Sequence, residues 1–108
     1  MALALLPADR VLAAQYAWLA PLASEGASAI VYRGTGHAPQ LAARQGIAST
    51  DLAVDGVVDQ VIPETPADPG RFCRDLGHAL HRALEDLARQ GDDTRLAGRL
   101  HRYRRLGI

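Results

Sequence analysis

The sequence predicts an α/β fold, and three observations carry that expectation. Residues Val11 to Leu22 are apolar at ten of twelve positions, the make-up of a strand buried on both faces. A second, shorter apolar run, Val57 to Ile62, is stopped by Pro63. Elsewhere apolar residues recur at the spacing of helices, most clearly at Phe72, Leu76, Leu80, Ala83, Leu84 and Leu87.

The elements follow in order. Val11, Tyr16, Trp18 and Leu19 suit the first strand, and Pro21 marks its end or an edge. Ser24 is expected to accept from the orphan N–H groups of a helix N-terminus. Glu25 then falls in the first turn, where the helix dipole favours an anion. Ala27 to Tyr32 continues as a buried helix ending near Arg33. Gly34-Thr35-Gly36 breaks the chain, and His37 to Gln45 reads as a short helix with Pro39 near its start and Gly46 just past its end. Ser49 and Thr50 cap a one-turn helix closed by Gly56, after which Val57 to Ile62 forms the second strand. Pro63 to Gly70 is a proline-rich connector. Asp68 is an N-cap with Pro69 in the first helical position, opening a long helix that runs to about Gln90 with Gly91 as its stop. Asp92 or Asp93 caps a last helix, in which Leu96, Leu100 and Tyr103 form one stripe and Arg95, Arg99 and Arg102 another. Gly107 ends it.

Composition bounds the function. A chain of 108 residues supports one core, and with only five aromatic residues that core is made mainly of small aliphatics. The formal net charge is zero, which excludes a general attraction to nucleic acid or anionic membrane. The distribution is uneven: residues 1–94 carry seven arginines and twelve acids, and residues 95–108 carry five arginines and no acid. The Arg95–Arg105 cluster is expected to be a solvated helix face that docks on a partner subunit. Cys73 is the single cysteine, so no internal disulfide forms and a reducing compartment is the natural setting. No uninterrupted apolar stretch approaches membrane-spanning length, and the chain reads as soluble and cytoplasmic. Met1 to Leu6 is apolar throughout, and the strand after it has no earlier strand to pair with. Both features suggest an incomplete domain.

Three constellations carry no chemistry on inspection. His78 and His81 lie one turn apart, but the five-residue step from Cys73 puts the thiol on another face, and two ligands do not make a metal site. Ser28 lacks a nucleophile elbow and sits inside a helix. Gly34-Thr35-Gly36 is too short for a dinucleotide fingerprint and follows a helix. There remains the strand–turn–helix at Ser24 to Gly26, where backbone N–H groups and the Glu25 carboxylate meet the end of a strand. Ligands of α/β proteins bind at such ends. On these residues alone, Glu25 reads first as a partner of the helix dipole.

Taken together, ALALLPADRVL, the strand leading into SEGASAIVYR, HAPQLAARQGI, DLAVDGVVDQVIPE and the closing RLHRYRRLGI resemble the C-terminal part of a biotin-dependent acetyl-CoA carboxylase carboxyltransferase. The likeness is to its alpha-type half, including forms in which beta and alpha halves are fused, and it covers almost the whole chain. It implies a partial crotonase-like spiral of β-β-α turns, formed by residues 1–66, with residues 67–108 as a C-terminal helical extension. The activity it implies is transfer of a carboxyl group from carboxybiotin on a carrier protein to acetyl-CoA, giving malonyl-CoA for fatty-acid synthesis. ATP is needed only at the separate biotin carboxylase step. Two peptide oxyanion holes would hold the developing charge, which agrees with the lack of a side-chain nucleophile.

The resemblance places Glu25 and Gly26 near the active site, since Ala23-Ser24-Glu25-Gly26 stands where the family has Ser-Pro-Glu-Gly. Met1 stands in place of the second glycine of the family's biotin-side pair, so half of that oxyanion hole is missing from this sequence. The implied partners are the N-terminal or beta half of the carboxyltransferase and a biotin carboxyl carrier protein, within an oligomer. Other readings are a different crotonase-like acyl-CoA protein, such as a malonate decarboxylase subunit, or a small non-catalytic helical binding module.

Overall fold

The computed structural model describes residues 7–20 and 22–106. In order these form β1 (Leu12–Ala14), α1 (Ser24–Tyr32), α2 (Ala38–Gln45), α3 (Ser49–Val54), β2 (Gln60–Ile62), α4 (Pro69–Arg89) and α5 (Asp92–Arg105). The fold is mixed α/β: β1 and β2 pair in parallel, Leu12 opposite Gln60, Ala13 opposite Val61 and Ala14 opposite Ile62, with three helices in the crossover. A parallel pair requires such a crossover, because a tight hairpin can only join antiparallel strands.

Local signals set most boundaries. Gly46 and Gly56 have φ of 60° and 82°, conformations that glycine adopts without steric cost, and each closes the short helix before it. Asp68 caps α4, its carboxylate accepting from the Arg71 N–H at 3.1 Å, and Pro69 occupies the first helical position. The gap between Gly34 and His37 falls where expected. Pro21, Met1 to Leu6 and Gly107 lie outside the described residues.

Several expectations are corrected. The first strand spans three half-buried residues rather than Val11 to Leu22, and Tyr16, Trp18 and Leu22 are exposed. The reason is that β1 has one strand neighbour, so no second face closes over it. After Ala14 the chain turns, Ala17 N–H donating to Ala14 O at 3.0 Å, and Trp18 makes an isolated antiparallel bridge to Ala48. The second strand is likewise reduced to Gln60–Ile62, because the N–H groups of Val57 and Val58 both turn back to Leu52 O.

The expected serine and aspartate caps move by one position or more. Ala23, Ala48 and Gly91 are the N-caps of α1, α3 and α5, which places Ser24, Ser49, Asp92 and Asp93 inside the first turn. Helix α1 buries Ala27 and Ser28 but exposes Ile30, Val31 and Tyr32, since its far side has no neighbour among the described residues. In α4 the buried line is Ala79 and Ala83, with Phe72, Leu76 and Leu87 half-buried, while Leu80 and Leu84 face solvent.

The largest reversal concerns α5. The Arg95, Arg99 and Arg102 stripe is not a solvated face. Arg99 reaches Asp9 at 3.0 Å, Arg95 reaches the same carboxylate at 4.0 Å, and Arg102, only 8% exposed, binds Asp59 and donates to Ala8 O at 2.7 Å. Leu96 and Leu100 point outward instead. The radius of gyration, 16.2 Å, exceeds the ~13 Å of a compact domain of this length, and the molecule measures 50 × 39 × 19 Å. A plate of that shape leaves wide apolar faces open.

Candidate functional site

The segment following β1 is fixed by its main chain, which leaves its side chains free. Gln15 N–H donates to Ile62 O at 2.9 Å, Leu19 N–H to Ile47 O at 2.9 Å and Ser49 N–H to Ala17 O at 3.0 Å. Two side chains complete the bracket: Gln15 Oε1 accepts from Glu64 N–H at 3.0 Å, and Glu64 Oε2 accepts from Tyr16 N–H at 2.7 Å. The fully buried Ser49 hydroxyl donates to Gln15 O. With its peptide groups satisfied on both sides, residues 15–19 behave as a rigid rail.

On that rail Tyr16 and Trp18 are 65% and 64% exposed. They form one wall of a groove of about 760 Å³. Ala38, Pro39, Ala42 and Ala43 of α2 form another, and Ile47, Ala48, Thr50 and Asp51 complete it. Ser24 and Glu25 enter from the start of α1.

Helix α2 is held against α1 by one buried serine. The Ser28 hydroxyl donates to Gly34 O and accepts from His37 N–H at 3.2 Å, so both ends of the intervening turn hang on a single side chain. Arg33 takes the left-handed conformation, φ 55°, to make that turn, and the rings of Tyr32 and His37 stack at 4.1 Å across it. The sequence reading set Ser28 aside as a nucleophile, and its hydrogen bonds give it a structural role.

Glu25 therefore lies where the sequence placed it, in the first turn of α1 and at the edge of a cavity. It is exposed, and among the described residues no hydrogen bond or ion pair engages its carboxylate. Gly26 does not line the groove. A Cβ built there would meet Leu22 Cδ1 at 3.6 Å, an ordinary contact, so the packing of this chain does not itself demand glycine. The sequence reading missed Trp18, Tyr16 and Asp51 as site residues. For the two aromatics the signal pointed the other way, because an apolar run reads as core until the missing neighbour strand is seen.

The groove's chemistry is one-sided. Its charged lining residues are Glu25 and Asp51, both acids, and among the described residues no arginine or histidine lines it. Such a site offers acceptors to a neutral donor and repels phosphate. Cys73, His78 and His81 do not converge, and among the described residues no group of three or more His, Cys, Asp or Glu could hold a metal ion. No helix among them is long and apolar enough to cross a membrane.

Comparison with known proteins gives a consistent family. The description "Acetyl co-enzyme A carboxylase carboxyltransferase-like" matches residues 1–107. A probable biotin-dependent acyl-coenzyme A carboxylase beta3 subunit of Mycobacterium tuberculosis is 53% identical over 110 residues, covering 99% of this chain and 22% of that protein. Acetyl-coenzyme A carboxylase carboxyl transferase alpha subunits of Deinococcus radiodurans and Thermus thermophilus are 36% and 34% identical, each over 98% of this chain and 35% of their own length. The chain thus spans about a fifth to a third of the relatives it matches.

Proposed function

The chain belongs to the acetyl co-enzyme A carboxylase carboxyltransferase-like family, and from that premise we propose that it forms the biotin-side turn of a carboxyltransferase that moves a carboxyl group from carboxybiotin to acetyl-CoA. The product is malonyl-CoA, made for fatty-acid synthesis in the cytoplasm. The observation that supports this is the position of Ser24-Glu25-Gly26. The turn by which the family resemblance is recognised opens onto the groove beside Trp18 rather than onto a packed interior.

The residues present fit a biotin ring system. The apolar walls suit its bicyclic body, and the carboxylates of Glu25 and Asp51 are acceptors suited to its ureido N–H groups. When bound, carboxybiotin supplies the carboxyl group. This chain's residues hold and orient the ring, and their negative charge keeps the phosphates of coenzyme A out of the groove. Glu25 is the group placed to touch the ligand, and Gly26 is the position next to it.

The wider reading follows from the same premise. The parallel β1–β2 pair, with its helical crossover, is compatible with one part of a crotonase-like spiral over residues 1–66, with residues 67–108 as the helical extension. The acyl-CoA site, the remaining oxyanion peptides and the biotinylated carrier come from the other half of the carboxyltransferase and its partner subunits within the oligomer. ATP is consumed at the separate carboxylation of biotin. Because one relative is named for acyl-coenzyme A rather than acetyl-coenzyme A, longer acyl groups are a second substrate reading.

The test uses the full-length enzyme that carries this region, with its partner subunits. Transfer from carboxylated carrier to acetyl-CoA and propionyl-CoA is measured for the parent and for Glu25→Gln. The reading expects transfer by the parent and at least a tenfold loss in the variant, about 1.4 kcal/mol or more, with an unchanged melting curve. Absence of transfer to any acyl-CoA by the parent would remove the function, and full activity of the variant would remove Glu25 from it.

A further inference from the structure

We propose that Trp18, backed by Tyr16, is the specificity platform on which the biotin ring of the carrier arm stacks. In this role it discriminates carrier-borne biotin from the acyl-CoA substrate. The proposal rests on the function proposed above and names the residue, the ligand moiety and the mode of contact.

Four observations lead there. Trp18 is the chain's single tryptophan, and it is 64% exposed, although its ring is the largest apolar group available for burial. Its backbone is fixed all the same: Ala17 O and Leu19 N–H on either side of it are bonded to Ser49 N–H and Ile47 O, and the bridge to Ala48 holds the residue itself. An exposed ring on a pinned backbone has lost part of its conformational freedom before any ligand arrives, which lowers the ordering cost of binding. Opposite it stand Ala38 and Ala42, whose short side chains leave the width of the groove open.

Charge selects the ligand. A ring stacked on Trp18 lies within the groove that Glu25 and Asp51 line, where no basic residue among those described is present. A phosphate-rich ligand is repelled there, whereas a neutral bicyclic urea presents N–H donors to carboxylate acceptors and an apolar face to the indole. Among the two substrates of the proposed reaction, only the biotin end has that chemistry.

The experiment takes the full-length carboxyltransferase with its partners and runs the reaction in reverse, with biotinyl-lysine as carboxyl acceptor and malonyl-CoA as donor. KM for each substrate is measured for the parent, Trp18→Phe and Trp18→Ala. The indole is mostly in solvent, so its removal leaves no buried cavity and the variants are expected to fold. Loss of aromatic stacking predicts that Trp18→Ala raises KM for biotinyl-lysine about five- to tenfold, leaves KM for malonyl-CoA within twofold, and that Trp18→Phe restores most of the difference.

An unchanged KM for biotinyl-lysine, or a rise confined to malonyl-CoA, would overturn the assignment of Trp18 while leaving carboxyl transfer by the parent intact. No transfer by the parent would instead overturn the function on which the assignment rests. A loss of kcat in Trp18→Ala that Trp18→Phe does not recover, with both KM values unchanged, would also count against a stacking role.

Discussion

Around β2 the chain buries what is apolar, and at α5 it buries what is charged. Ile62 is 2% exposed, with Val57 and Val58 buried just before it. Arg102 is 8% exposed on the inward face of α5, while Leu96 and Leu100 of the same helix face out. The two regions meet at Asp59, which starts the run into β2. Its carboxylate accepts from Val11 N–H at 2.7 Å and also binds Arg102. One acid therefore fixes the entry to β1 and the position of α5. The difference teaches that a helix's inward face is chosen by what waits for it, here Asp9, Asp59 and the Ala8 carbonyl, and not by its own hydrophobic stripe.

The contrast can be broken at its strongest point first. Ile62→Ala should cost about 3 kcal/mol, the usual range for deleting a fully buried aliphatic side chain, read as a fall in the urea midpoint of the protein carrying this region. A loss below about 1 kcal/mol would show that β2 is not the centre of the core.

Arg102→Met comes next, since it keeps the apolar stem and removes the charge. It should cost about 2 kcal/mol, the worth of charge-assisted hydrogen bonds lost from a half-buried acid. Combined with Asp59→Asn, the two losses should fall short of their sum, because each variant removes the same pair. Strict additivity would mean that α5 is held elsewhere.

How much of this was legible in the sequence depends on where the deciding partner lies. Asp68 and Pro69, Gly46 and Gly56 act within a few residues of themselves, and each was read correctly. The position of Glu25 in a first turn was equally local. Trp18, Tyr16, Leu80 and the arginines of α5 were misread because their burial depends on segments distant in sequence: Ala48 for Trp18, and Asp9 and Asp59 for the arginines. Hydrophobicity alone reports which residues favour burial, and it does not report which ones find cover.

Gly56→Ala sharpens the comparison with a smaller effect, about 1 kcal/mol or slightly more. Its φ of 82° is unfavourable for alanine, and the added Cβ would stand 2.9 Å from the Arg105 guanidinium, which would have to shift. The expected result is a modest drop in the unfolding midpoint, with faster amide exchange at the C-terminal end of α5. The smallest effect belongs to the Asp9 pairs. Arg95→Ala should cost under ~1 kcal/mol, and less at high salt, because both partners are partly solvated. A salt-independent loss would show that Arg95 acts through its hydrogen bonds to Leu87 O and Gln90 O instead.

The central claim is that the groove beside Glu25 receives the biotin ring. The most direct measurement is photo-crosslinking of the full-length enzyme with a biotin derivative carrying a small photoreactive group, followed by peptide mapping. The account predicts labels on the segments 15–25 and 38–51, competed by free biotin and not by acetyl-CoA. Labels outside those segments, or competition by acetyl-CoA alone, would contradict it.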